Sequence, residues 1–170
     1  MTIYWGDGTS TSTHPSGGKI VDYSAGTVTS TSSTTSTSWT DLGVTTSITV
    51  ASGNKVFVTA MCNVASTSTV FLRLMRGSTA IAIGDSASSK QPATWGTYSG
   101  GAGGGGGPFY YGQASVILQW LDNPGSGTHA YHVEWMVTQS AITAYRGRGV
   151  YEDQHYKSRA PQFIQAMELA

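Results

Sequence analysis

Residues 69–76 read Thr-Val-Phe-Leu-Arg-Leu-Met-Arg, and residues 55–64 just before them read Lys-Val-Phe-Val-Thr-Ala-Met-Cys-Asn-Val. Successive side chains of an extended strand point to opposite faces, so Val70, Leu72 and Leu74 share one side while Phe71, Arg73 and Met75 share the other. Val56, Val58, Ala60, Cys62 and Val64 line one side of the earlier run in the same way. The helical period is absent almost everywhere, and period-two runs recur between clusters of Gly, Asn, Asp and Ser. Candidate strands are Lys19–Tyr23, Thr37–Asp41, Thr45–Val50, Lys55–Val64, Thr69–Arg76, Ala80–Ile83, Gln113–Leu121, Thr128–Gln139, Ala141–Tyr145 and Gln162–Leu169. This pattern predicts an all-β chain folded as an antiparallel, two-sheet sandwich.

The chain has 170 residues and a mass of 17.8 kDa, the size of one domain with at most a short arm beside it. Nine Lys and Arg balance nine Asp and Glu. With no net charge, nothing draws in nucleic acid, an anionic membrane or an acidic substrate. Polarity is carried instead by 22 Ser and 23 Thr, so contacts made by this surface should depend weakly on salt. One cysteine, Cys62, forbids an intrachain disulfide and reads as a buried thiol within its alternating run. The opening Met-Thr-Ile-Tyr-Trp-Gly-Asp-Gly lacks a basic segment and an apolar stretch, and no run approaches the roughly 18 apolar residues of a membrane span. The expectation is synthesis in the cytoplasm, without membrane insertion.

Both faces of the strands carry apolar groups. Tyr131, Val133, Trp135 and Val137 oppose Ala130, His132, Glu134 and Met136. The second face joins Phe71 and Met75 with Met136, Phe57 and Met61, where a solvated sheet would show Lys and Glu. A subunit contact is expected there, made by Phe57, Met61, Phe71, Met75, His132, Glu134 and Met136, and a closed ring is the usual way to bury such a patch.

Three segments fall outside the expected strands. Residues 1–18 read as an arm anchored by Tyr4 and Trp5, leaving residues 19–170 as the folded domain. Residues 24–38 form a Ser/Thr tract, a loop entering a strand. Residues 95–111 hold five consecutive glycines between Trp95, Tyr98, Phe109, Tyr110 and Tyr111, an aromatic-anchored loop suited to contact another molecule. Arg146 and Arg148, a close basic pair, are candidates to grip a carboxylate or an acidic glycan, and the loop aromatics to stack on sugar rings.

Catalytic constellations are thin. His129, His132 and Glu134 alternate faces in a strand and cannot make a helix-type zinc site, so His132 and Glu134 read as a polar pair. Asp7 between Gly6 and Gly8 lacks the repeated ligands of a calcium loop. Glu152, Asp153 and His155 could do acid–base work in a cleft but read as a solvated loop, and a polysaccharide-cleaving enzyme using Glu152, Asp153 or Glu134 is a distant alternative. No nucleophile elbow or phosphate loop occurs, and no catalytic residue, cofactor or metal is expected.

Several blocks resemble small virion proteins of tailed bacteriophages: Gly-Lys-Ile-Val (18–21), Trp-Thr-Asp-Leu-Gly (39–43), Thr-Ser-Ile-Thr-Val (46–50), Phe-Leu-Arg-Leu-Met-Arg-Gly-Ser-Thr-Ala-Ile-Ala-Ile-Gly-Asp (71–85), Leu-Asp-Asn-Pro (121–124) and Ile-Gln-Ala-Met-Glu-Leu (164–169). The resemblance implies a jelly roll similar to tumour-necrosis-factor-like and complement-type heads, assembled as a homotrimer on the virion surface. The resemblance leaves capsid decoration and a fibre end both open; the expected function is that of a non-enzymatic decoration or cement protein, whose N-terminal arm docks on the major capsid protein or another virion protein. The alternative is a tail-fibre head that recognises host surface glycan through residues 95–111, Arg146 and Arg148.

Overall fold

The computed structural model describes residues 19–98, 113–151 and 158–170, together with two short strands of the N-terminal stretch, β1 (Ile3–Tyr4) and β2 (Ser10–Thr11), which pair with each other. The described residues contain no helix. The first sheet holds β3 (Ile20–Val28), β4 (Ser32–Thr34), β6 (Lys55–Ser66), β10 (Ala114–Asp122), β12 (Ala144–Arg146) and β13 (Gln162–Leu169). The second holds β5 (Thr40–Val50), β7 (Thr69–Arg76), β8 (Thr79–Ile81), β9 (Trp95–Tyr98) and β11 (Gly127–Met136). All pairings are antiparallel, and the two sheets pack as a β-sandwich.

Three lines of strand are interrupted and resumed. Val64 pairs with both β10 and β12, and Met61 with both β10 and β13, so β12 and β13 lie in line on the flank of β6 opposite β10. Beyond them β4 and β3 run in line as well, and in the second sheet β8 and β9 share one flank of β7. The described residues between the two halves of each line lie outside the strands. Asn63 closes one such interruption. Its amide donates to Gln162 Oε1 at 2.5 Å, its side chain donates to Pro161 O, and its carbonyl accepts from Gly147 N at 2.8 Å.

The core is aliphatic and lies between the sheets. Val56, Val58, Ala60, Cys62 and Val64 of β6 meet Val70, Leu72 and Leu74 of β7, Tyr131, Val133 and Trp135 of β11, and Leu42, Val44 and Ile48 of β5. Burying each large aliphatic side chain contributes about 1.5–3 kcal/mol, which a fold without a disulfide depends on. Burial pushes the Cys62 thiol up to about 12 from an ordinary value of 9.0. The folded chain therefore holds its proton where the unfolded chain releases it, so stability is full below pH 9 and falls as pH rises toward 12. Urea titrations at pH 8 and pH 11 should show a loss of the order of 2 kcal/mol that is smaller in Cys62→Val.

Both ends of the sandwich are tied by polar groups. At one end Asp122 accepts from both Arg76 Nη1, at 2.8 and 2.9 Å, and Tyr131 hydroxyl, at 2.8 Å, joining β10 to the second sheet. Glu168 Oε1 accepts from Ala51 N and Asn54 Nδ2, both at 2.7 Å, fixing the turn between β5 and β6. At the other end Arg146 points inward from β12. Its guanidinium donates to Leu42 O and, at 3.1 Å, to Ser30 Oγ.

Candidate assembly surface

The site follows from parity. In β6 the even-numbered residues face the core, so Phe57, Thr59 and Met61 face outward. Register extends them into rows across four strands. Tyr23, Met167, Phe57 and Leu121 form one row, and Thr27, Phe163, Met61 and Ile117 another. Between them runs Ala25, Gln165, Thr59 and Gln119. Two apolar stripes thus flank a polar one.

Exposure is greatest at the two flanks. Ile117 is 63% exposed and Leu121 49% on β10, and Tyr23 is 58% exposed on β3, while Phe57, Met61, Phe163 and Met167 between them are half-buried. Neither Lys nor Arg nor a carboxylate stands in these three rows. The outer edge of β10 is also unpaired among the described residues, and its sequence Ala-Ser-Val-Ile-Leu-Gln-Trp-Leu-Asp contains no Lys or Pro to guard it. An exposed apolar sheet face of this kind is suited to burial against another protein surface.

No protein-family model matches the chain, and no curated protein does.

The sequence expectation grouped seven residues into one contact, and the structure divides them. Phe57 and Met61 belong to the face just described. Phe71, Met75, His132, Glu134 and Met136 lie on the outer face of the second sheet, where Phe71 pairs with Met136, Arg73 with Glu134 and Met75 with His132. The chain changes sheets between β6 and β7, which places the two outward faces on opposite sides of the sandwich. Met75 and Met136 are only 3% exposed within the single chain, so neither side chain is open to a second subunit. Beside them Arg73 pairs with Glu134 at 2.5 Å and lies over the Trp39 ring, 4.5 Å from its centre. His132 Nε2 stands 3.7 Å from Glu134 Oε1, a polar pair on the expected common face. The aromatic ring of Phe71 covers Gly96 of β9.

The expected basic pair also separates. Arg146 is 8% exposed and engaged inside the sandwich, where Gly43, at a φ of +88°, leaves room for its Nη1. Burial among neutral groups lowers its proton affinity, opposed by the charge of Asp41. Arg148 instead stacks over the Tyr145 ring, 4.1 Å from its centre. The two guanidiniums therefore cannot close on one carboxylate. Trp95 packs against the core from β9, so it supports the fold rather than standing free as a loop anchor. Tyr4 and Tyr98 are described only as strand positions. Trp5, Phe109, Tyr110, Tyr111, Glu152, Asp153 and His155 lie outside the described residues.

Tyr23, Ile117, Leu121, Phe163 and Met167 were not foreseen as surface contacts. The signal was present in β13, where Phe163, Met167 and Leu169 share one face with Gln165 as its one polar residue, opposite Ile164 and Ala166. Among the described residues no group of three or more His, Cys, Asp or Glu is placed to hold a metal ion.

Proposed function

We propose that this chain is a non-enzymatic structural protein of a tailed-phage virion, acting as a homotrimer that decorates the capsid surface. The observation that carries this reading is the uncharged apolar face on β3, β13, β6 and β10. Its most exposed side chains stand at opposite flanks, which suits a ring: the β10 flank of one copy covers the β3 flank of the next, and each copy offers both. The strand order supports the jelly roll that the resemblance implies. Along the chain, β3 with β4 belongs to the first sheet, β5 to the second, β6 to the first, and β7 through β9 to the second. The chain then returns with β10 to the first sheet, β11 to the second, and β12 with β13 to the first.

In this reading residues 1–18 dock on the major capsid protein or another virion protein. Three arms on one trimer raise each other's effective concentration, so modest single contacts suffice for retention. The glycan-binding alternative is weakened by Arg146, which is committed to Leu42 and Ser30.

Sedimentation should give three times 17.8 kDa for the full chain. Replacing Leu121 and Met61 together by Asp should produce folded monomers, because an unpaired charge buried in an interface costs about 3–5 kcal/mol. That corresponds to a rise in Kd of roughly 10²–10³-fold or more. A chain lacking residues 1–18 should remain trimeric yet fail to cosediment with particles. A wild-type chain that stays a soluble single subunit at micromolar concentration defeats the proposal.

A further inference from the structure

The polar row between the two apolar stripes has a chemistry of its own. Gln119 donates one Nε2 proton to Thr59 Oγ1 at 3.4 Å, which leaves its carbonyl oxygen and its second N–H free. Gln165, on the other side of Thr59, has no side-chain hydrogen bond among the described residues, so its carbonyl oxygen and both amide N–H groups are free. On the β3 flank the row ends in Ala25, whose short side chain leaves Gln165 reachable from that side. On the β10 flank Gln119 is itself exposed. On each side of Thr59 a carboxamide thus stands with free hydrogen-bonding groups, at the same level of the sheet, and two such amides can pair reciprocally.

We infer that Gln119 of one copy pairs with Gln165 of the next, and that this amide belt sets the register and the stoichiometry of self-assembly. The inference rests on the reading of the apolar face as a surface between copies. The apolar stripes attract without direction, since Phe57, Met61, Phe163, Met167 and Leu121 accept one another in many alignments. The belt does not. Sliding one copy by a single row, about 6.6–6.8 Å along the strand, lays both amides on aliphatic and aromatic carbon. Each buried amide left without a partner costs about 1–3 kcal/mol, and every copy brings two of them. Polar groups inside an apolar interface fix register and copy number in this manner elsewhere, at some expense in affinity.

Two sets of variants test it, read by native mass spectrometry and sedimentation velocity, with circular dichroism to show that the sandwich is retained. Gln119→Leu with Gln165→Leu should still associate, but the single stoichiometry of the wild type should spread into two or more. Gln119→Glu alone and Gln165→Lys alone should each weaken association about tenfold or more, and the two combined in one chain should restore it and make it salt-sensitive. Within one chain the two positions are separated by a strand, so the rescue reads contact between copies. A leucine pair that keeps the wild-type stoichiometry, or a charged pair no better than its single variants, overturns the belt while leaving the apolar surface in place. A monomeric wild type overturns the surface reading itself, and the belt with it.

Discussion

Gly26→Ala lowers the unfolding midpoint by roughly 6–12 °C, the shift that a loss of about 3 kcal/mol produces in a domain of this size. Gly26 lies on β3 where that strand presses on β5. A methyl group built there falls 1.9 Å from Thr45 O and 3.0 Å from Thr45 C, both backbone atoms that cannot rotate aside. Relief requires β3 to move away from β5 by an ångström or more. That movement stretches the contact between Ser24 Oγ and Thr46 Oγ1, now 2.8 Å, which bridges the same corner. Because Tyr23 and Ala25 ride on β3, the variant should also weaken self-association at temperatures where it is still folded. Thermal unfolding followed by circular dichroism, with sedimentation at 20 °C alongside, checks both effects; an unchanged midpoint would mean that the corner is far looser than its geometry.

Asp122→Ala is expected to cost about 2–4 kcal/mol, because it removes one carboxylate from two partners at once. Tyr131 is fully buried, and its hydroxyl is left without an acceptor. Arg76 is partly exposed and can turn to water, which holds the loss below that of a fully buried pair. The ordering of three variants is the sharper test. Asp122→Ala should be worst, Asp122→Asn intermediate because an amide oxygen still accepts from Tyr131, and Tyr131→Phe mildest because the ion pair survives. Urea denaturation at pH 7 ranks them, and a Tyr131→Phe as damaging as Asp122→Ala would mean that the hydroxyl, not the carboxylate, holds that end together.

Parity was legible in the sequence, and sheet membership was not. β7 and β13 have the bounds that alternation predicts, because Val70, Leu72 and Leu74, or Ile164 and Ala166, need only their own neighbours to define a buried side. Placing Phe57 and Phe71 on one face failed because both strands alternate equally well, and only the long-range partners of β6 and β7 assign them to different layers. β5 was expected as two strands. It is one, carrying a register shift opposite His132 and Glu134 that admits the Arg146 side chain beside Gly43. Nothing near residue 146 announces that fit, since its acceptor, Leu42, lies a hundred residues earlier. β4 and β9 were missed for a simpler reason. Ser32–Thr34 and Trp95–Tyr98 sit at the borders of hydroxyl- and glycine-rich stretches, and each is held as strand chiefly by backbone pairing to a neighbour, which composition does not record.

The interrupted strand lines separate what the sandwich needs from what it carries. Between β12 and β13 the chain departs and comes back at a neck closed by Ala160 N on Gly147 O at 3.1 Å and riveted to Asn63. Among the described residues, none between Ala144 and Ile164 belongs to the apolar core. Evolution, or a designer displaying a foreign peptide, can therefore rewrite the span inside that neck while the layers beneath keep their alignment.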